Sequence, residues 1–402
     1  MHKFKKALTL AVATGVLGAA VPALGQDVKL GILMDMTGPI ESMAPGIVAG
    51  GELAIAHVNE QGGILDGQTL THVLADTACD ATTAGTAADR LVNSENVVAI
   101  VGSGCTGATI GAANTAAIPG NVVMISPAST AGALTTLDDN DLIFRTTPSD
   151  SFQGVKLADL LLSKGINEVA VTYVNNDYGA GLANDFTAQY EANGGSVLAS
   201  LAHEEGKADY RAELGNLASS GAMDLVILAY ASGSGQTILR QATESGEFTR
   251  FIGADGMVGD GIFNGIDPSS VEGMIITRAG TYEGEGASIY TQLATDAGLV
   301  PDAVYSTQTY DAAFMLALAI EKNGSADREG VSAALREIAS GPGEVILPGE
   351  WEKAKQLIAD GADINYEGAS GTHEFDEAGD VAGVIVEYTI ENGEFVAVGP
   401  VE

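Results

Sequence analysis

The stretch Val97-Val98-Ala99-Ile100-Val101, followed at once by Gly102-Ser103-Gly104-Cys105-Thr106-Gly107, decides the fold class. Five consecutive apolar residues without polar alternation suit a strand buried on both faces. Such burial arises when helices cover both sides of a parallel sheet. The glycines then mark a tight turn out of the strand. Around this unit the pattern repeats, with strands expected at 28–34, 70–75, 97–101 and 122–125. Helices are expected at 46–59 and 81–93, the second presenting Ala84, Ala88, Leu91 and Val92 on one face. This is a doubly wound α/β unit.

A second set follows Phe144-Arg145-Thr146. Asp150 is expected to cap a helix reaching Lys164, with further helices at 182–192, 210–219 and 236–245. Strands are expected at 169–174, 197–202, 225–229, 251–252 and 274–277. Two helices, 310–322 and 327–339, and two strands, 384–389 and 395–398, joined through Asn392-Gly393, complete the chain. A length of 402 residues exceeds one ordinary core and predicts two domains. No low-complexity linker separates the two sets, which points to lobes joined by several short crossings.

Composition narrows the function. A hydrophobic content of 46% excludes a disordered chain. Lys3, Lys5 and Lys6, the apolar run 7–20 and the small residues Ala23 and Gly25 read as an export signal, residues 1–25, cut before Gln26. The apolar run is short of the roughly 20 residues that span a bilayer. The net charge of -35 becomes -38 when the signal's three lysines leave 15 basic against 53 acidic residues. Such a chain repels nucleic acid and anionic membrane. In an oxidising compartment the pair Cys79 and Cys105 suggests one disulfide. A metal site lacks further ligands at usable spacing, as the five histidines are scattered.

Gly102-Ser103-Gly104-Cys105-Thr106-Gly107 also fits G-x-G-x-x-G, the dinucleotide fingerprint. It does not lie in the first βαβ unit, no acid stands at ribose distance, and a cysteine expected in a disulfide sits inside it. The backbone N–H groups of such a turn could still receive an anion, here a carboxylate. There is no G-x-S-x-G, and His203-Glu204-Glu205 lacks the second histidine of a zinc helix. Neither an enzyme nor a cofactor is expected.

An ordered set of short stretches carries a family resemblance: Thr37-Gly38-Pro39, Val58-Asn59-Glu60-Gln61-Gly62-Gly63-Ile64, Asp76-Thr77-Ala78-Cys79-Asp80 and Met124-Ile125-Ser126-Pro127-Ala128-Ser129-Thr130. Phe144-Arg145-Thr146, Asn176-Asp177-Tyr178-Gly179, Leu239-Arg240-Gln241-Ala242, Gly253-Ala254-Asp255-Gly256 and Tyr310-Asp311-Ala312-Ala313 follow. In this order the chain resembles the periplasmic leucine/isoleucine/valine-binding proteins of ABC transporters over nearly its whole mature length. The resemblance implies a type I periplasmic-binding fold: two Rossmann-like lobes on a three-crossing hinge. The first lobe would take residues 26–146 and 277–373, the second 147–276 and 374–402, with crossings near 145–147, 276–278 and 373–376. Cys79 and Cys105 match the family's disulfide.

The resemblance further implies a ligand set. Thr106 matches a residue holding the ligand α-carboxylate. Ala128 and Thr130 match a loop contacting carboxylate and ammonium, Tyr178 a covering tyrosine, and Asp255 the acid that pairs with the α-ammonium. Tyr230 lies one residue out of register with another contributing tyrosine. Met43 stands where the family has a tyrosine walling the side-chain pocket; Glu41 and Ser42 beside it could face a polar ligand instead. The stretch 342–372 is longer than the family norm. The expected function is capture of a neutral or branched-chain amino acid in the periplasm by a monomer and delivery to membrane permease and ATPase subunits. A receptor or sensor for an amide, urea or small organic acid is the alternative, since such a ligand would not need Asp255.

Overall fold

The computed structural model describes residues 27–402, so the expected export signal at 1–25 lies outside the described residues. The first sheet is parallel. Its strands are β1 Val28–Met34, β2 Leu70–Asp76, β3 Ala99–Gly102, β4 Val123–Ser126 and β5 Ile143–Arg145, in the order β2-β1-β3-β4-β5. Helices α1 Ala44–Glu60, α2 Ala81–Asp89 and α3 Thr106–Ala112 connect them. The apolar run behaves as its composition demands, with Val97 to Gly102 fully or almost fully buried. Gly102 leaves the strand at φ +133°, where a Cβ would run into the Leu33 carbonyl, so glycine is required there.

The second layer system begins with α4 Asp150–Ser163, β6 Glu168–Val174 and α5 Asp177–Ala192. It continues through β7 Ser196–His203, α6 Arg211–Ala218, β8 Asp224–Leu228, α7 Ser234–Ser245, β9 Arg250–Gly253 and β10 Ile275–Ala279. The chain then forms α8 Glu285–Asp296, α9 Ser306–Asn323 and α10 Val331–Ala339, with α9 packing back on α1 beside the first sheet. The last strands, β13 Ile385–Glu391 and β14 Glu394–Pro400, join the second sheet antiparallel, giving the order β14-β13-β10-β9-β8-β6-β7. The architecture is a type I periplasmic-binding fold.

Several features depart from the sequence reading. Strand β5 and helix α8 were not anticipated. The stretch 342–372 forms a small unit, β11 Glu344–Ile346, α11 Trp351–Ala359 and β12 Ile364–Tyr366. It is pinned by Trp351, fully buried against Phe314, whose Nε1 donates to the Gly63 carbonyl at 3.0 Å. Asp311 on α9 completes the anchoring, accepting from Ala369 N, Ser370 N and Tyr366 Oη, each at 2.7 Å. Finally, Asp150 is not the cap of α4. Ser149 holds that position, and Asp150 lies inside the first turn with no exposed surface.

Candidate ligand site between the two sheets

A small cavity of about 20 Å³ lies between the two halves. Its walls include Met43, Thr106, Ala128, Tyr178, Tyr230 and Asp255, together with Ile40, Ile47, Gly104, Gly256 and Tyr305. Six of the seven sequence-named residues thus meet at one point, drawn from loops far apart in the chain. Thr130 does not line the cavity. It is buried two residues beyond Ala128, and its hydroxyl has no partner.

Asp255 is the polar centre. Tyr178 Oη donates to its Oδ1 at 2.9 Å, Gln153 Nε2 to the same oxygen at 3.1 Å, and Tyr305 Oη to Oδ2 at 2.7 Å. Burial pushes its carboxyl above the usual range, against the opposing pull of Tyr305, Tyr178 and Gln153. Tyr178 is fixed in turn: it accepts from Gly256 N at 3.1 Å, and its ring stacks on Tyr230 with centroids 5.3 Å apart. Tyr230 Oη accepts from Asn176 Nδ2 at 3.0 Å. Gln153 and Tyr305 escaped the sequence reading. Neither lies in a short recognisable stretch.

On the opposite wall, Thr106 opens α3, and its Oγ1 accepts from Ala131 N at 3.3 Å. Part of the glycine-rich turn preceding it is occupied by the chain itself. The buried carboxylate of Asp35 takes Gly104 N at 2.7 Å and Cys105 N at 3.1 Å, and also meets the hydroxyls of Thr77 and Ser103. Those two N–H groups are therefore not free for an external anion. The Cys79–Cys105 disulfide is formed and clamps this turn to the loop after β2.

The apolar wall is Ile40, Met43 and Ile47. Met43 also borders a larger open cleft of about 570 Å³, so its flexible thioether separates the small cavity from that space. Glu41 is exposed. Ser42 does not face the cavity but accepts from Ser232 Oγ at 2.8 Å, and Ser232 N donates to the Pro39 carbonyl at 3.1 Å. These bonds join the first half to the second beside Met43.

Among the described residues no helix is long and apolar enough to cross a membrane. Over 330 residues the chain is 30% identical to the leucine-, isoleucine-, valine-, threonine- and alanine-binding protein of Pseudomonas aeruginosa, covering 81% of this chain and 87% of that one. It is 27% identical over 355 residues to the chemotactic signal transduction system substrate-binding protein BasB of Halobacterium salinarum, covering 86% and 83% of the two chains. The crystal structure of a leucine-binding protein LivK from Thermotoga maritima superposes with a TM-score of 0.78 at 27% identity, covering 93% of this chain and 99% of that one. The periplasmic binding protein family matches residues 27–356, and this chain belongs to that family.

Proposed function

We propose that this protein is the extracytoplasmic receptor of an ABC transporter, capturing a neutral amino acid between its two lobes and presenting the closed form to permease and ATPase subunits. Membership of a family of binding proteins sets enzymatic readings aside. The relatives that bind leucine, isoleucine, valine, threonine and alanine support the ligand class. The observation that carries the reading is Asp255, a buried acid facing Thr106 and Ala128 across a cavity whose third wall is aliphatic. Burying a zwitterion is costly unless each charge meets partners. Asp255 would take the ammonium and Thr106 and Ala128 the carboxylate, with Thr130 buried behind them; Tyr178 and Tyr230 would cover the ligand, and Met43, Ile40 and Ile47 would receive its side chain. Micromolar binding needs about 8 kcal/mol in all, within reach of a few charged hydrogen bonds and apolar closure.

The lobes in this reading comprise residues 26–146 with 277–373, and 147–276 with 374–402. The second crossing is best drawn after Ala279, since β10 stays paired with β13 to that residue. We place the protein in the periplasm as a monomer. One observation favours the alternative of a ligand without an ammonium, such as an amide, urea or small organic acid. Asp255 already receives three hydrogen bonds from its own chain. A thermal-shift screen of the form beginning at Gln26 separates the two. Ligand at 100 times its Kd stabilises by about 2.7 kcal/mol. A rise with neutral L-amino acids alone supports the first reading; silence from all of them with a rise from an ammonium-free solute overturns it.

A further inference from the structure

Arg278 on β10 is a buried cation without a carboxylate. It is 8% exposed, and its Nη2 donates to Tyr388 Oη at 2.6 Å and to the Asp302 carbonyl at 3.3 Å. The guanidinium lies 4.2 Å from the centre of the Tyr388 ring. Among the described residues its Nε is buried with no partner, and no acid forms an ion pair with it. The other buried arginine, Arg145, has Asp380. With 53 acidic residues against 18 basic ones, a cation in this chain rarely lacks a counter-ion. Burying one unpaired is costly.

Arg278 and Met43 border the same open cleft of about 570 Å³. The first turn of α1 forms another part of its wall, through Pro45 and Gly46. Met43 at the N-cap gives no side-chain bond to the first N–H groups, and the first turn holds no acid. The positive end of a 17-residue helix therefore borders the cleft uncompensated. Two features that attract an anion thus reach one space from different halves of the molecule. The acids on the same cleft, Asp260, Asp302 and Glu394, are exposed to water, which screens them.

We propose that Arg278 and the first turn of α1 form a carboxylate subsite beyond Met43, so that the receptor also takes amino acids whose side chain ends in a carboxylate. This rests on the amino-acid reading above and goes beyond its neutral ligands. The ammonium and α-carboxylate stay with Asp255, Thr106 and Ala128. The side chain runs past Met43, whose flexible thioether can move aside. Its carboxylate then gives Arg278 the counter-ion that the chain withholds. A guanidinium has five N–H donors, and Arg278 spends only Nη2 on the chain, which leaves donors for this anion. A neutral side chain stops at Ile40, Met43 and Ile47, so Arg278 governs the response to acidic ligands alone.

The experiment is calorimetry of L-leucine, L-glutamate, L-2-aminoadipate and acetate on the wild type and on Arg278→Met, in the form beginning at Gln26. Wild type should bind at least one of the two acidic amino acids. Arg278→Met should bind it about 10- to 100-fold more weakly, as expected for losing a charged hydrogen bond, and leucine within threefold of wild type. Ala49→Glu keeps Arg278 and sets a carboxylate on the wall of the cleft, and it should give the same loss should Arg278→Met not fold. A wild type that binds leucine and refuses both acidic amino acids overturns the proposal and leaves the amino-acid reading standing. So does acidic binding that Arg278→Met leaves within threefold. Acetate binding that depends on Arg278 while both acidic amino acids are refused assigns the subsite to a free anion and also overturns it. A wild type that answers only to ammonium-free solutes removes both readings.

Discussion

Arg145 and Asp380 form a buried two-pronged ion pair: Nε to Oδ1 and Nη2 to Oδ2, both at 2.6 Å. Arg145 ends β5, while Asp380 lies in the segment that leads into β13, so the pair ties two of the chain's passages between the sheets. The same guanidinium holds the Thr130 carbonyl at 2.7 Å. The loop that carries Ala128 and Thr130 is therefore held by the hinge as well as by its own strand, where Ser126 Oγ accepts from Ser129 N at 2.9 Å.

Asp380→Asn should leave Arg145 as an uncompensated buried charge. Breaking a buried pair from one side costs about 3–5 kcal/mol. Urea unfolding should show a loss of that order, and ligand affinity should fall with it because Thr130 loses its support. Stability within about 1 kcal/mol of wild type would mean the pair is not part of the hinge's rigidity.

Tyr178→Phe should keep the ring stacked on Tyr230 while removing the donor to Asp255. A hydrogen bond to a charged group contributes about 1.5–3 kcal/mol. Calorimetry should therefore record roughly 10- to 100-fold weaker binding of whichever amino acid the screen identifies, with the melting temperature changed much less. An affinity within threefold of wild type would remove Tyr178 from the site.

Replacing both Cys79 and Cys105 with alanine opens a loop whose ends are 26 residues apart in sequence. The chain-entropy relation gives a loss of about 3–4 kcal/mol. Because Cys105 N is bonded to Asp35 beside Thr106, binding should weaken too. Denaturant midpoints and calorimetry on oxidised and reduced protein separate the two effects, and a loss under 1 kcal/mol would assign the bond a minor role.

Periodicity made the alternating strands and helices legible because burial on both faces of a parallel sheet leaves no other composition at positions such as 97–101. The ordered short stretches led to the residues now lining the cavity, since turn glycines and their neighbours keep recognisable spacing. Two kinds of feature stayed hidden. Tyr305 and Gln153 reach Asp255 from 50 and 102 residues away, and nothing local marks such contacts. Asp150 carried a local signal that misled: an acid before an apolar run looks like a cap, and only tertiary burial distinguishes it from one. Likewise the glycine turn offered N–H groups in the sequence, and the folded chain gives two of them, Gly104 N and Cys105 N, to Asp35. The unit 342–372 was opaque because its strands are three residues long and its main anchor, Trp351, is seated on another helix.

Acid should destabilise the second half through His203. Burial lowers its pKa to about 4, and the neutral ring bonds Thr172 Oγ1 at 2.8 Å and Ser234 Oγ at 3.0 Å. In the unfolded chain the ring titrates near pH 6.5. Between these values the unfolded state binds more protons, so stability rises with pH. The contribution is complete above about pH 6.5 and lost as pH falls through about 4, amounting to about 3 kcal/mol. Asp35, Asp150 and Asp255, raised by burial, act with the opposite sign, losing their contribution as pH rises past the ordinary carboxylate value. The wild-type slope therefore mixes both, and the difference from His203→Gln isolates the histidine. Urea unfolding at pH 7 and pH 4.5 should show the stability gap between wild type and His203→Gln shrinking by about 2–3 kcal/mol toward acid. A gap that stays constant would show that His203 is not the group whose protonation the fold resists.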